Sequence, residues 1–139
     1  MKVNLRINNE SHELNIPPGE ILLRTLRKLG YYGVKHGCET GDCGACGVLV
    51  DGRTVNYCVY LTAQADGHEI LTIEAIGKHP ELGWKESVGL HPLQEAFVES
   101  GAIQCGFCTP AQILAAKQLL DHNPNPSEID IREALSGVL

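Results

Sequence analysis

Apolar and polar positions change period several times along the chain, and each change marks an element. Val3, Leu5 and Ile7 alternate with Asn4, Arg6 and Asn8, the two-residue period of a half-buried strand. Asn8-Asn9 predicts a turn into a second such run, where Leu14 and Ile16 alternate with Glu13 and Asn15 until Pro17-Pro18-Gly19 ends it. From Glu20 the period lengthens. Leu22, Leu26 and Leu29 share one helical face, Arg24, Arg27 and Lys28 lie away from it, and Gly30 is the stop. Residues 33–47 place five glycines around three cysteines and fit no regular element. Val48-Leu49-Val50, Asp51-Gly52 and residues 54–61 predict a hairpin with a tight turn, and a last strand is expected over 69–73.

Four or five strands with one helix across them predict an α+β layer, a β-grasp, over residues 1–76. Residues 77–90 read as a linker, containing Pro80, Gly83, Gly89 and the single Trp. Helices are expected over 91–139. Pro92 suits a first turn, with Leu93, Ala96 and Phe97 on one face and Gly101 as the stop. Thr109-Pro110-Ala111-Gln112 has the spacing of a capping box. The helix it opens, to about Asp121, is apolar on nearly every side and is expected to be buried. Asn123-Pro124-Asn125-Pro126 breaks it, and Ser127 caps a last helix toward Leu135.

With 139 residues, 43% apolar and 20% charged, the composition is globular. A net charge of −6 without a Lys/Arg run argues against a nucleic-acid partner. The longest uncharged stretch, Ser100 to Ala116, is too short and too polar to span a bilayer, and no apolar segment follows Met1 as a secretory signal requires. A cytoplasmic protein without membrane insertion is expected.

Against that background six cysteines are unusual, since cytosolic thiols stay reduced and gather mainly as metal ligands or catalytic groups. Cys38, Cys43 and Cys46 are spaced C-x4-C-x2-C, and Cys58 follows after eleven residues. This is the plant-type [2Fe–2S] spacing. Such a cluster is a buried anion that needs N–H donors around it. A loop able to wrap it favours glycine, and Gly37, Gly41, Gly44 and Gly47 stand where that demand falls. Cys58 is expected on a strand, its sulfur toward the loop and Tyr57 and Val59 facing away. A structural zinc site built from Cys43/Cys46 and Cys105/Cys108 is the alternative, but it leaves Cys38, Cys58 and the loop glycines unexplained. His36 reads as a loop residue and His91 as a helix-start residue.

Gln104-Cys105-Gly106-Phe107-Cys108-Thr109-Pro110 puts two thiols just before a helix, where thiolate is favoured. Alone, this pair fits half a metal site, a redox dithiol or an incidental pair.

Together, Gly37-Cys38-Glu39-Thr40-Gly41-Asp42-Cys43-Gly44-Ala45-Cys46, Cys58 and Gln104-Cys105-Gly106-Phe107-Cys108-Thr109-Pro110 resemble the small iron–sulfur subunit of the molybdenum hydroxylases. That family includes xanthine dehydrogenases, aldehyde oxidoreductases, nicotinate dehydrogenases and carbon monoxide dehydrogenases. The resemblance runs the length of the chain, through His91-Pro92-Leu93-Gln94 to Glu133-Ala134-Leu135-Ser136-Gly137. It implies a β-grasp ferredoxin-like domain with one [2Fe–2S] cluster, on Cys38, Cys43, Cys46 and Cys58, and a four-helix domain with a second, half of whose ligands are Cys105 and Cys108. It further implies a contact of Gln104 with molybdopterin in a large partner subunit or domain, and a flavin in an FAD-binding partner, or another acceptor, to take the electrons. On this reading the chain relays single electrons and carries no catalytic residue of its own. Members of the family continue past Ser-Gly into a C-x-C pair that completes the second ligand set. The pair is expected immediately after Leu139, so the chain shown is read as cut short. A free-standing ferredoxin-like carrier and the zinc protein are the rival readings. The substrate lies beyond this chain.

Overall fold

The computed structural model describes residues 1–77 and 89–139; the rest of the expected linker, with Pro80, Gly83 and Trp84, lies outside them. The first half is a five-stranded mixed sheet: β1 (Lys2–Ile7), β2 (Glu10–Asn15), β3 (Gly47–Val50), β4 (Arg53–Asn56) and β5 (Glu69–Leu71), in the order β2-β1-β5-β3-β4. β1 runs parallel to β5; the other pairs are antiparallel. Both hairpins turn as their residues require. Asn8 and Asn9 adopt φ of 51° and 66°, Asp51 and Gly52 of 47° and 77°, the positive angles that suit the twist of paired strands.

The helix α1 (Leu22–Lys28) lies across the sheet. Leu22 and Leu26 are buried as the helical period demands, and Leu23 joins them beside the 3₁₀ turn at Tyr57–Val59. Burial along β1 alternates strictly, whereas every residue of β3 is buried, because β3 is covered on both faces. The second cover is α3 (Thr109–His122). A Cβ on Gly47 would lie 3.5 Å from Ala111 Cβ, and Ile113 and Leu114 are part of the same continuous core as Val48 and Leu49. The two halves thus share one hydrophobic interior.

Helices α2 (Pro92–Glu99) and α4 (Glu128–Leu135) flank α3. Leu93 and Phe97 of α2 reach the core, but Ala96, expected on the same face, is exposed. His91 caps α2: its Nδ1 accepts from Leu93 N–H at 3.1 Å and its own N–H donates to Gln94 Oε1 at 2.9 Å. Burial and nearby Lys117 lower the His91 pKa, which keeps the ring neutral and able to accept. Ser127 and Asp130 make the reciprocal cap of α4.

Two expectations are corrected. The capping box at Thr109 does not form. Cys108, already in helical conformation (φ −82°, ψ −12°), takes the cap position and its carbonyl accepts Gln112 N–H, so Thr109 becomes the first helical residue and is buried. The strand expected over 54–61 stops at Asn56, and Cys58 sits in the 3₁₀ turn that follows. Strand alternation therefore fails there: Tyr57 is fully buried, Cys58 buried and Val59 exposed.

Candidate metal centre

Ending β4 early brings Cys58 inward. Burial, and then the Cys46 sulfur hydrogen-bonded to it, push the Cys58 thiol well up from its ordinary pKa, with Cys38 adding repulsion and the Gly41 backbone N–H pulling the other way. Three of the four thiols of the first group are thereby within mutual electrostatic reach. Cys43 is tied to them through its main chain. Its backbone N–H donates to Cys38 Sγ at 3.4 Å, as does that of Thr40, and those bonds pull the half-exposed Cys38 thiol down to about 5.

The loop that carries them needs its glycines at specific places. A Cβ on Gly37 would stand 2.8 Å from Cys43 Sγ. Gly41 adopts φ +84°, and its carbonyl accepts Asn56 Nδ2–H at 2.9 Å, tying the loop to the end of β4. Gly44 is the most constrained. Its φ is +71°, and a Cβ there would fall 2.0 Å from the Gly137 carbonyl oxygen. Beside it, Leu139 N–H donates to the Cys43 carbonyl at 2.9 Å. The segment after α4 is thus laid, backbone to backbone, on the first cysteine loop.

The second cysteine loop adjoins the first: Phe107 Cε1 lies 3.9 Å from where a Cβ on Gly37 would be. Cys108 is half-buried at the N-terminus of α3; Cys105 and Gln104 are exposed. His36 is a loop residue, its Nε2 2.8 Å from Glu39 Oε1. Among the described residues no three or more His, Cys, Asp or Glu side chains are placed to hold one metal ion, which is the arrangement a four-thiolate zinc site needs. A binuclear cluster asks less of any one point, since each iron takes only two thiolates. The donor set, the N–H bonds to sulfur and the bare Gly37 fit such a group.

The family model for a 2Fe-2S iron-sulfur cluster binding domain matches residues 5–72, and that for a [2Fe-2S] binding domain matches residues 72–139. The nicotinate dehydrogenase small FeS subunit of Eubacterium barkeri is 43% identical over 138 residues, covering 99% of this chain and 83% of its own. The chain belongs to the small iron–sulfur subunits of the molybdenum hydroxylases. Among solved structures, quinoline 2-oxidoreductase from Pseudomonas putida 86 superimposes on all of this iron–sulfur subunit and 82% of the matched chain, with a TM-score of 0.90 at 36% identity. Aldehyde oxidoreductase from Desulfovibrio gigas matches 96% of the subunit with a TM-score of 0.84 at 43% identity. There the match spans only 14% of the longer chain. As in its relatives, the fold joins a ferredoxin-like domain to a second [2Fe–2S]-binding domain, and the cofactor class is two [2Fe–2S] clusters.

Three features of the site escape a reading of the sequence. Gln118 of α3 reaches across to β4, where its Oε1 accepts Thr54 N–H at 2.6 Å and also the Thr54 hydroxyl. Tyr57 is buried with its hydroxyl unpaired, although it stands in a run that reads as a half-exposed strand. The Leu139–Cys43 bond links positions too far apart for any local pattern to reveal.

Proposed function

We propose that this subunit is the one-electron conduit of a molybdenum-cofactor hydroxylase or dehydrogenase, with Cys38, Cys43, Cys46 and Cys58 as ligands of its first [2Fe–2S] cluster and Cys105 and Cys108 as half the ligands of its second. The carrying observation is the electrostatic coupling of the Cys58 thiol with Cys46 and Cys38, together with the backbone N–H groups of Thr40 and Cys43 already aimed at Cys38 Sγ. A [2Fe–2S] cluster supplies one-electron storage and release when bound.

The chain's own residues do the rest. Thr40 and Cys43 N–H groups offset negative charge on sulfur, and Gly37 keeps the space beside Cys43 clear. Burial of Cys46 and Cys58, the latter in the 3₁₀ turn beside α1, excludes water from one side. The hydrogen bond from Leu139 to Cys43 supplies a short contact between the helical half and the first loop. The substrate site belongs to a partner chain or domain that holds molybdopterin, with exposed Gln104 contacting that cofactor, and an FAD-binding subunit accepts the electrons.

The test is anaerobic purification followed by iron and acid-labile sulfide assays and EPR of the reduced chain. Cys43→Ser should bleach or destabilise the first cluster and loosen residues 37–47, because metal binding is linked to folding. An unchanged visible spectrum and EPR signal in that variant would reject the ligand assignment. Copurification with a molybdenum-containing chain separates the conduit from a free-standing carrier, and a colourless, sulfide-free protein would support the zinc reading.

A further inference from the structure

Asn56 closes β4 where three parts of the first site meet. Its backbone pairs with Gly47, the residue after buried Cys46, and just beyond it the chain reaches Cys58 in the 3₁₀ turn. Its half-buried side chain reaches the third part, the loop of Cys38 and Cys43: Asn56 Nδ2–H donates to the Gly41 carbonyl at 2.9 Å. A carbonyl can only accept, so the amide nitrogen and not the oxygen faces it. Gly41 needs such a restraint. Its φ of +84° is an angle that glycine adopts freely and can as freely leave. A Cβ there would stand 3.4 Å from Val59 Cγ2, so Gly41 lies close against the turn that carries Cys58. The Gly41 N–H in turn bonds toward the Cys58 sulfur. Cys38 draws its donors from Thr40 and Cys43, whereas Cys58 is served by Gly41, and Asn56 holds Gly41 in place.

We infer that Asn56 is a positioning residue for the first site: by bracing the Gly41 main chain it keeps the Gly41 N–H on the Cys58 sulfur and raises the reduction potential there. The inference rests on the ligand assignment proposed above and adds to it a residue that sets the potential without touching the metal. An N–H bond to sulfur strengthens as the sulfur gains negative charge, so it favours the state that holds the extra electron. A Gly41 released from Asn56 would share that N–H between sulfur and water. The favoured state would then lose part of its advantage.

The test is an EPR-monitored redox titration of the anaerobically purified, cluster-loaded chain, following the signal that Cys43→Ser removes. In Asn56→Ala the ratio of reduced to oxidised centre at the parent's midpoint should fall about three- to tenfold, tenfold being about 59 mV for one electron. Gly41→Ala should shift the ratio in the same sense. The double variant Asn56→Ala/Gly41→Ala should fall no further than the larger single change, because both act through one residue. Asn8→Ala, which breaks a buried pair outside the cysteine loop, should lose stability and keep the parent potential. Asn56→Ser, whose shorter side chain stops short of the Gly41 carbonyl, takes the place of Asn56→Ala if that variant does not hold iron. A parent potential in either Asn56 variant, with iron content intact, overturns the inference alone and leaves Asn56 a structural tie. Additive shifts in the double variant overturn the route through Gly41. Iron loss from both Asn56 variants while Asn8→Ala stays loaded would give Asn56 a part in assembling the site and overturn its part in setting the potential. If the parent is iron-free or Cys43→Ser removes no signal, the ligand assignment falls and this inference with it.

Discussion

Leu139 donates its backbone N–H to the carbonyl of Cys43 at 2.9 Å, so the segment after α4 is bonded to a residue of the first cysteine loop. Next to that bond Gly44 and Gly137 meet without side chains between them. The contact between the two halves at this point is made of main chain.

Gly44→Ala is therefore expected to cost about 3 kcal/mol. The substitution combines a left-handed backbone angle that a Cβ disfavours with a collision against a carbonyl that has little freedom to retreat. Gly52→Ala is its control: φ is also positive, at +77°, but nothing lies within 4 Å, so only the backbone term of about 1 kcal/mol applies. Urea titration of the two variants measures the difference. Equal losses would mean that residues 137–138 do not rest on Gly44.

Asn8 and Thr72 form a buried pair between the β1–β2 turn and the residue after β5. Asn8 Nδ2–H donates to Thr72 Oγ1 at 2.8 Å and Thr72 N–H to Asn8 Oδ1 at 2.9 Å. Asn8→Ala removes both bonds and leaves alanine at φ 51°. A loss of about 2–4 kcal/mol is expected from thermal or urea denaturation. Asn8→Asp, which keeps an acceptor for the Thr72 N–H, should lose less.

Those turns were legible in the sequence because a two-residue signal decides them: Asn8-Asn9 and Asp51-Gly52 need positive φ and have the side chains for it. The cysteine loop was legible for a similar reason, as spacing and glycine placement are local. The exit from β4 was not. Tyr57, Cys58 and Val59 continue a strand-like pattern, and only α1 packing on Tyr57 from a distant part of the chain folds them into a 3₁₀ turn. The start of α3 was misread by one residue, because Thr109 is drawn into the core and Cys108 must serve as the cap.

In the metal-free chain the two thiols Cys38 and Cys58 should behave as opposites. N–H bonds from Cys43 and Thr40 hold Cys38 down from 9.0 to about 5, while burial pushes Cys58 up. Iodoacetamide at neutral pH is expected to label Cys38 well before Cys58, since thiolate is the nucleophile. Between about pH 5 and 9 the unfolded chain keeps a proton on Cys38 that the folded chain has released. Stability from this group is thus fully present above pH 9 and is lost as pH falls through about 5. Urea midpoints of the metal-free chain should rise across that window, and the part due to Cys38 should vanish in Cys38→Ser.

Gln118→Ala deletes the acceptor shared by the Thr54 N–H and hydroxyl. The expected cost is about 1–2 kcal/mol. Its signature is selective: hydrogen exchange at Thr54 should accelerate more than at Leu49, which lies under α3 and keeps its partners in the sheet. Uniform acceleration across both strands would assign Gln118 a general packing role instead.

The bare meeting of Gly44 with Gly137 has one more consequence. Tunnelling rates fall off exponentially with the gap an electron must cross, so a relay works reproducibly only if that gap does not wander. Side chains hop between rotamers, and a junction built on them would let the spacing drift from molecule to molecule. Here main chain meets main chain, and at that point the spacing of the two halves varies only as far as the backbone itself can breathe.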